Sequence, residues 1–385
     1  MEIIKQLAED ARTRPEELKR AKGNGTKIVG YTGRFVPEEL IYAAGAEPYF
    51  ICRGGEPEPA EELLPYMLRI INPYARAQTG YHLLSVEPVI PMLDLIIAEC
   101  SDCHYTRLAD VMEYFKLPTA RLGIPADWTK SISFDYYHRG LVKLKEKLEA
   151  LTGNEISEAK LNKATESLNK IRNVLSKIGD LRKQQPPPIG GYDLIQLNHY
   201  SFYCGLEKQT ERLNKLYLEL KSNGKPFPED APRLLLAGRV VTVGDYVLSK
   251  LIETAGGVVV AEFLDEGTRL GQWEVETEGD ILQNIAKTYF LQRTPPSIFQ
   301  PAWEDRLEYL KKLIKDYKID GVVWYQLSFE EIYDMECSIV SRAMDEMKMP
   351  FLKLESSFEY SREAMGPLTT RVESFVQSIK MKRSS

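Results

Sequence analysis

The residues with the most distinctive chemistry are three cysteines. Cys100 and Cys103 form a C-x-x-C motif directly after an apolar run that we predict to be a strand. Cys337 lies in the back half of the chain, about two turns into a predicted helix that Ser328 and Glu331 begin with capping-box spacing. Ligands of open α/β sheets bind beyond the carboxyl ends of the strands. Two such sheets facing each other would bring the three thiols into one cleft.

Three thiolates suit an iron–sulfur cluster or a zinc ion, because both prefer soft sulfur ligands. His104 is a candidate fourth ligand for zinc, although a second close Cys or His pair is missing around Cys337. A redox-active Cys100–Cys103 pair would leave Cys337 unexplained. Buried thiols without any metal are the simplest alternative. The residues alone leave these interpretations open.

The elements that must position these thiols alternate between strand and helix patterns in two separate parts of the chain. This alternation predicts an α/β fold with two Rossmann-like parallel-sheet domains, joined by a helical segment and preceded by an N-terminal helix. We expect the N-terminal helix and first α/β domain in residues 1–150, the helical connector in 151–228 and the second α/β domain in 229–385.

Composition excludes several classes of protein. The 385 residues carry a formal charge of −6 without an extended basic stripe, which argues against nucleic acid as a partner. The apolar runs fall far short of the roughly 18 residues needed to span a bilayer, and the polar N-terminus is unlike a signal peptide. We therefore expect a cytoplasmic protein with no membrane contact, in which Cys52 and Cys204 are packing residues. A phosphate-binding G-x-x-x-x-G-K-[ST] motif is absent.

A series of short segments resembles the subunits of 2-hydroxyacyl-CoA dehydratases, of the 2-hydroxyglutaryl-CoA dehydratase D-component type, and of benzoyl-CoA reductases. The resemblance runs from about residue 27 to 378, and its order and spacing are specific. Its segments are Val36–Pro48, Asn72–Arg76, Asp94–Ile97 with Cys103 after it, Glu278–Asp280 before Tyr289, Ile319–Val323, Pro350–Glu355 and Leu368–Phe375.

The resemblance implies an iron–sulfur subunit with a [4Fe–4S] cluster between its domains, working as a homo- or heterodimer of related subunits. It also implies a separate ATP-hydrolysing iron–sulfur activator that delivers low-potential electrons, and a CoA thioester as substrate. The absence of a phosphate-binding motif agrees with ATP hydrolysis by a separate activator protein. The alternatives are a double-cubane-cluster small-molecule reductase, or a non-catalytic cluster-binding or maturation protein of the same fold.

This chain departs from that resemblance at the expected cluster ligands. Many relatives have Cys-Pro where this chain has Asn72-Pro73, and many have Cys where this chain has Glu330. Their cysteine near the third strand corresponds to Cys103. We therefore expect Cys100, Cys103 and Cys337 to be the cluster ligands of this chain. Its five cysteines are too few for a double-cubane cluster held by six cysteines of one chain.

Other candidate site residues surround the predicted cleft. Glu330 and Glu331 are candidate catalytic acid/base groups, with stabilisation of the helix N-terminus as the alternative. Glu39, Asn72 and Arg76 are candidate substrate-binding residues. Arg76 suits a CoA phosphate or a carboxylate, and it suits a surface ion pair equally well.

Overall fold

A computed structural model describes residues 2–222, 226–269, 273–300 and 302–384 of the chain. In these ranges the chain forms eight strands and fourteen α-helices. The strands are β1 (Ile28–Tyr31), β2 (Glu47–Phe50), β3 (Leu95–Cys100), β4 (Thr119–Gly123), β5 (Arg233–Val240), β6 (Val258–Glu266), β7 (Gly321–Leu327) and β8 (Phe351–Ser356). The helices are α1 (Glu2–Gly23), α2 (Glu38–Ala43), α3 (Pro57–Glu62), α4 (Pro73–Leu83), α5 (Cys103–Tyr114), α6 (Ser131–Thr152), α7 (Glu158–Asp180), α8 (Gly191–Tyr200), α9 (Leu206–Ser222), α10 (Val247–Thr254), α11 (Ile281–Lys287), α12 (Trp303–Asp316), α13 (Glu331–Glu346) and α14 (Arg362–Ser384).

The strands form two four-stranded sheets with the same topology. All pairings are parallel, in the orders β2-β1-β3-β4 and β6-β5-β7-β8. The chain order reverses between β1 and β3 in the first sheet and between β5 and β7 in the second, so each sheet has a switch point of the kind where doubly wound folds bind ligands. The predicted fold class of two Rossmann-like sheets with an N-terminal helix is confirmed.

The sequence forms these sheets because its strands are continuous apolar runs that helices cover on both faces. Every residue of β5 and of β7 is buried. One hydrophobic core runs through both sheets, and a second, smaller core joins α1 to helices of the 151–228 stretch. That stretch contains α7, α8 and α9, but the three domain boundaries stay a prediction.

Two helix starts differ from the sequence prediction. The sequence places the start of α5 near Arg107, whereas the helix begins at Cys103 because the Asp102 side chain accepts the Tyr105 backbone N–H at 2.8 Å. The predicted capping box of Ser328 is wrong, since Glu330 occupies the N-cap of α13 without a side-chain capping bond. The Ser328 hydroxyl is instead 2.8 Å from that of Ser357.

Within the described ranges, no helix combines the length and the hydropathy that crossing a bilayer requires. The cytoplasmic location stays a prediction.

Candidate functional site

A buried cluster of charged side chains lies where the carboxyl ends of the two sheets meet, and we call it the junction. It consists of Glu99 from β3, Asp102 at the start of α5, Arg239 from β5, Glu266 at the end of β6, and Glu330 just after β7. Glu99, Arg239, Glu266 and Glu330 are each at least 95% buried. The junction therefore occupies the switch points of both sheets, where this fold class places its ligands.

Arg239 is the centre of the junction and links the two sheets. Its guanidinium nitrogens are 2.9 Å from an Asp102 oxygen, 3.1 Å from Glu266 and 3.7 Å from Glu330. Burial alone would lower the pKa of Arg239, but these carboxylates outweigh burial and raise it well above its ordinary value. Arg239 is thus a fixed cation shared by three acids.

Three buried acids of the junction have raised pKa values, and burial is the largest cause in each case. Burial raises the pKa of Glu330 to about 8, although Arg239 opposes the shift. Burial, assisted by the Glu266 carboxylate, raises the pKa of Glu99 to about 8. Burial also raises the pKa of Glu266, whose other oxygen accepts the Tyr105 hydroxyl. Acids with a pKa near 8 can hold and release protons under physiological conditions.

The loop that follows β1 wraps around the Glu99 carboxylate. The Phe35 backbone N–H donates to Glu99 Oε2 at 2.7 Å. Gly33 has a φ of +75°, and a Cβ there would lie 2.1 Å from the same oxygen. Only glycine permits both the left-handed backbone and this close approach.

Three residues predicted from the sequence do come together beside the junction. The Asn72 Nδ2 atom donates to Glu330 Oε1 at 3.5 Å, and the Asn72 backbone N–H donates to His104 Nδ1 at 3.3 Å. The His104 Nε2 atom is 3.4 Å from a carboxylate oxygen of Glu331, whose side chain is 67% exposed. Asn72 also caps α4 by accepting the Ala75 N–H at 2.7 Å. Asn72 therefore contacts Glu330 directly, and His104 links Asn72 to Glu331.

Two predicted substrate-binding residues have structural partners elsewhere. Arg76 is buried and donates to the carbonyl oxygens of Ala60 and Ile71, so it ties α3 to α4. Glu39 is buried and pairs with Arg172 of α7 at 2.7 Å. A substrate contact by either side chain stays a prediction.

The three predicted thiol ligands have separate surroundings. The charged groups that act on them are Glu99, Asp110, Glu113 and Arg121 for Cys100, Asp102 and Glu331 for Cys103, and Asp334, Glu336 and Lys353 for Cys337. Burial raises the pKa of all three thiols, that of Cys337 to about 11. In the ranges that the structure covers, no group of three or more His, Cys, Asp or Glu is arranged to hold a metal ion.

This arrangement does not fit a three-thiolate cluster site. Asn72 and Glu330, the two positions at which the resemblance places cysteines in relatives, contact each other at the junction, and Cys103 is next to His104 in the same network. Oxygen donors and the Arg239 cation thus stand where soft sulfur ligands would be needed. The ligand set Cys100, Cys103 and Cys337 stays a prediction.

The sequence did not lead us to predict Glu99, Arg239 or Glu266 as site residues, although their positions in the strands are informative. Each is a charged residue near the carboxyl end of a mainly apolar strand. A charge in a strand that is buried on both faces must find a partner, and the end of the strand is where the other sheet can supply it.

Two doubly wound parallel sheets, with a polar cluster at both switch points, define the class of this α/β protein. The family model described as 2-hydroxyglutaryl-CoA dehydratase, D-component, matches residues 34–379. The chain therefore belongs to this family, and the resemblance seen in the sequence is confirmed.

Named relatives are similar along almost their whole length. The chain is 24% identical to the putative dehydratase subunit YjiM of Escherichia coli, over 98% of both chains. It is 24% identical to a benzoyl-CoA reductase subunit of Thauera aromatica, over 92% of this chain and 91% of the relative. It is 21% identical to the beta subunit of (R)-2-hydroxyglutaryl-CoA dehydratase of Acidaminococcus fermentans, over 94% and 95%.

Proposed function

We propose that the chain is a subunit of a CoA-ester dehydratase or reductase, and that the junction forms part of its active site. The family and the names of the relatives support the enzyme class. The observation that carries the assignment of the site is Glu330, a buried acid with a pKa of about 8 between the two switch points. An acid of this kind suits proton transfer to a leaving hydroxyl group or to a reduced substrate carbon.

The roles of the remaining groups follow from their contacts. Glu330 holds its proton near neutral pH, and Asn72 and the Leu327 N–H orient its carboxyl group. Arg239 supplies a fixed positive charge that can stabilise an oxyanion on the substrate. Glu331 is exposed beside His104, and we assign the proton transfer to Glu330 alone.

A groove along β4, the edge strand of the first sheet, suits the nucleotide part of CoA. It has a volume of about 670 Å³ and lies between β4 and α6. Its floor is formed by Leu122 and Gly123, and Arg139, Lys143 and Lys147 add positive charge. Its lining includes every residue of β4, from Thr119 to Gly123, so the groove runs along the whole strand. Basic side chains around a partly apolar groove match phosphates attached to an adenosine.

We place the iron–sulfur cluster of such an enzyme on a related partner subunit. The junction of this chain offers a paired arginine and carboxylates in place of a thiolate set, so we assign no step to a cluster held here. The chain would then depend on that partner and on an ATP-hydrolysing activator for electrons. The relatives are named as subunits, which supports an assembly of this kind.

The test is anaerobic reconstitution of the chain with a related subunit and an activator. ATP, a low-potential reductant and a panel of 2-hydroxyacyl-CoA and aromatic CoA esters are added, and the products are separated by chromatography. We expect conversion of at least one CoA ester that depends on this chain. Conversion by the other components alone, or no conversion of any ester by an assembled complex, would overturn the proposal.

A further inference from the structure

His104 is buried beside the junction, and both nitrogen atoms of its ring make a contact. The residue lies in the first turn of α5 and is 95% buried. Its Nδ1 atom accepts the backbone N–H of Asn72 at 3.3 Å, and Nε2 lies 3.4 Å from a carboxylate oxygen of Glu331. A ring nitrogen that accepts a hydrogen bond carries no proton. The single proton of a neutral His104 therefore belongs on Nε2, which faces Glu331.

The contacts of Asn72 determine the direction of its side-chain amide. The Oδ1 atom accepts the Ala75 backbone N–H at 2.7 Å, at the start of α4. Because Oδ1 is engaged in this cap, the Nδ2 atom faces Glu330 and donates to Oε1 at 3.5 Å. Asn72 is fully buried, so a backbone N–H without an acceptor would be costly at this position.

The bond between Asn72 and Glu330 is sensitive to small displacements. Its length of 3.5 Å is already at the long limit for a hydrogen bond. Asn72 precedes α4, which packs against α5, whereas Glu330 follows β7 of the second sheet. His104 fixes the backbone from which the Asn72 amide extends, so it controls how well this amide reaches the carboxyl group.

We propose that His104 is a positioning residue, which holds Asn72 so that the Asn72 amide orients the carboxyl group of Glu330. The series of contacts runs from His104 through Asn72 to Glu330, and it requires no contact between His104 and a substrate. The proposal rests on the proposed function only where it connects this orientation with proton transfer. The series of contacts itself can be tested without turnover.

Two substitutions separate the roles of the two ring nitrogens. His104→Asn places an amide oxygen near the position of Nδ1 and so keeps an acceptor for the Asn72 N–H. His104→Gln is one methylene longer and places its amide near the position of Nε2, so that N–H loses its acceptor. His138→Gln is the matched control, because His138 lies on α6 and stacks on Phe134.

The measured quantity is the pKa of Glu330 in the folded chain. It is read from urea unfolding between pH 5 and pH 10, with Glu330→Gln made in every background so that the titration of His104 cancels. A hydrogen bond from Asn72 favours the charged form of Glu330, so its loss raises the pKa. We expect His104→Gln to raise this pKa by about 0.5–1, and His104→Asn and His138→Gln to leave it at the wild-type value. The charged groups with the largest effect on Glu330 stay the same in every variant: Arg239, Glu266 and Asp102.

A wild-type pKa of Glu330 in folded His104→Gln, or an equal rise in His104→Asn and His104→Gln, would overturn the proposal. Circular dichroism establishes whether each variant is folded. If the His104 variants do not fold, nitrogen-15 NMR of the unchanged chain, labelled in its four histidines, decides the question. A proton on Nε2 of His104 supports the proposal, and a proton on Nδ1 rejects it because Nδ1 could not accept the Asn72 N–H.

Neither measurement uses a CoA ester or a partner subunit, so failure here is distinct from failure of the proposed function. In the reconstituted enzyme, His104→Gln should also lower kcat about tenfold and leave KM unchanged, with recovery in His104→Asn. An unchanged kcat beside a raised pKa of Glu330 would count against the proposed function and leave the positioning by His104 established.

Discussion

Replacing Glu330 with glutamine should change how the stability of the chain depends on pH. In the folded chain the pKa of Glu330 is about 8, and its ordinary value is 4.5. Between these two values the folded state holds a proton that the unfolded state has lost. Stability therefore falls as the pH rises through this window, and it levels off above the folded pKa. Glutamine resembles the protonated acid and removes this contribution.

The size of the effect follows from the shift. A difference of 3.5 pKa units (8 − 4.5) corresponds to about 5 kcal/mol as an upper limit. Relative to the wild type, Glu330→Gln should gain about 2–5 kcal/mol between pH 5 and pH 9. Glu99 titrates in the same window but is present in both proteins, so the difference between them isolates Glu330.

Urea unfolding followed by circular dichroism at several pH values from 5 to 9 measures this difference. Glu346→Gln is the control, because its side chain is exposed at the last residue of the same helix, away from the junction. This control should follow the wild-type curve at every pH. A constant difference between Glu330→Gln and the wild type would refute the reasoning, since it would mean that Glu330 has the same charge in both states throughout the range.

Three further predictions test other parts of the account. Gly33→Ala should lower the free energy of unfolding by about 2–5 kcal/mol, because a left-handed residue gains a Cβ that overlaps Glu99; an unchanged urea midpoint would contradict this. Lys143→Glu combined with Lys147→Glu should raise KM for the CoA ester more than it lowers kcat, because the groove would repel phosphate; an unchanged KM would reject the groove as the nucleotide site. The chain purified alone without oxygen should contain less than one iron per molecule; about four iron and four sulfide would restore the thiolate ligand set.

Much of the fold could be predicted from the sequence because its strands are long apolar runs. The run from Arg233 to Ala237 and that from Gly321 to Tyr325 identified β5 and β7 correctly, and the helices between them followed from periodicity. The element ends were less accurate, since β6 continues from Glu262 to Glu266 through charged residues that are typical of a loop. The ion pair between Glu266 and Arg239 stabilises this end of β6, which local strand propensity does not predict.

The candidate site was only partly predictable. Asn72 and Glu330 were placed in one cleft from the resemblance, and they are in contact. Their main partner, Arg239, was missed because a charged residue in an apolar strand carries no motif. The cysteines have the most distinctive chemistry in the sequence, but their spacing along the chain does not specify which residues each thiol contacts in the fold.

The most direct test of the central claim is the turnover of a CoA ester by the reconstituted enzyme with Glu330→Gln beside Glu331→Gln. Because glutamine cannot transfer a proton, we expect kcat to fall about 100-fold or more for Glu330→Gln, with the assembly intact by size-exclusion chromatography. Glu331→Gln should retain most of the rate. Wild-type turnover by a correctly assembled Glu330→Gln enzyme would contradict the assignment of the junction as the site of proton transfer.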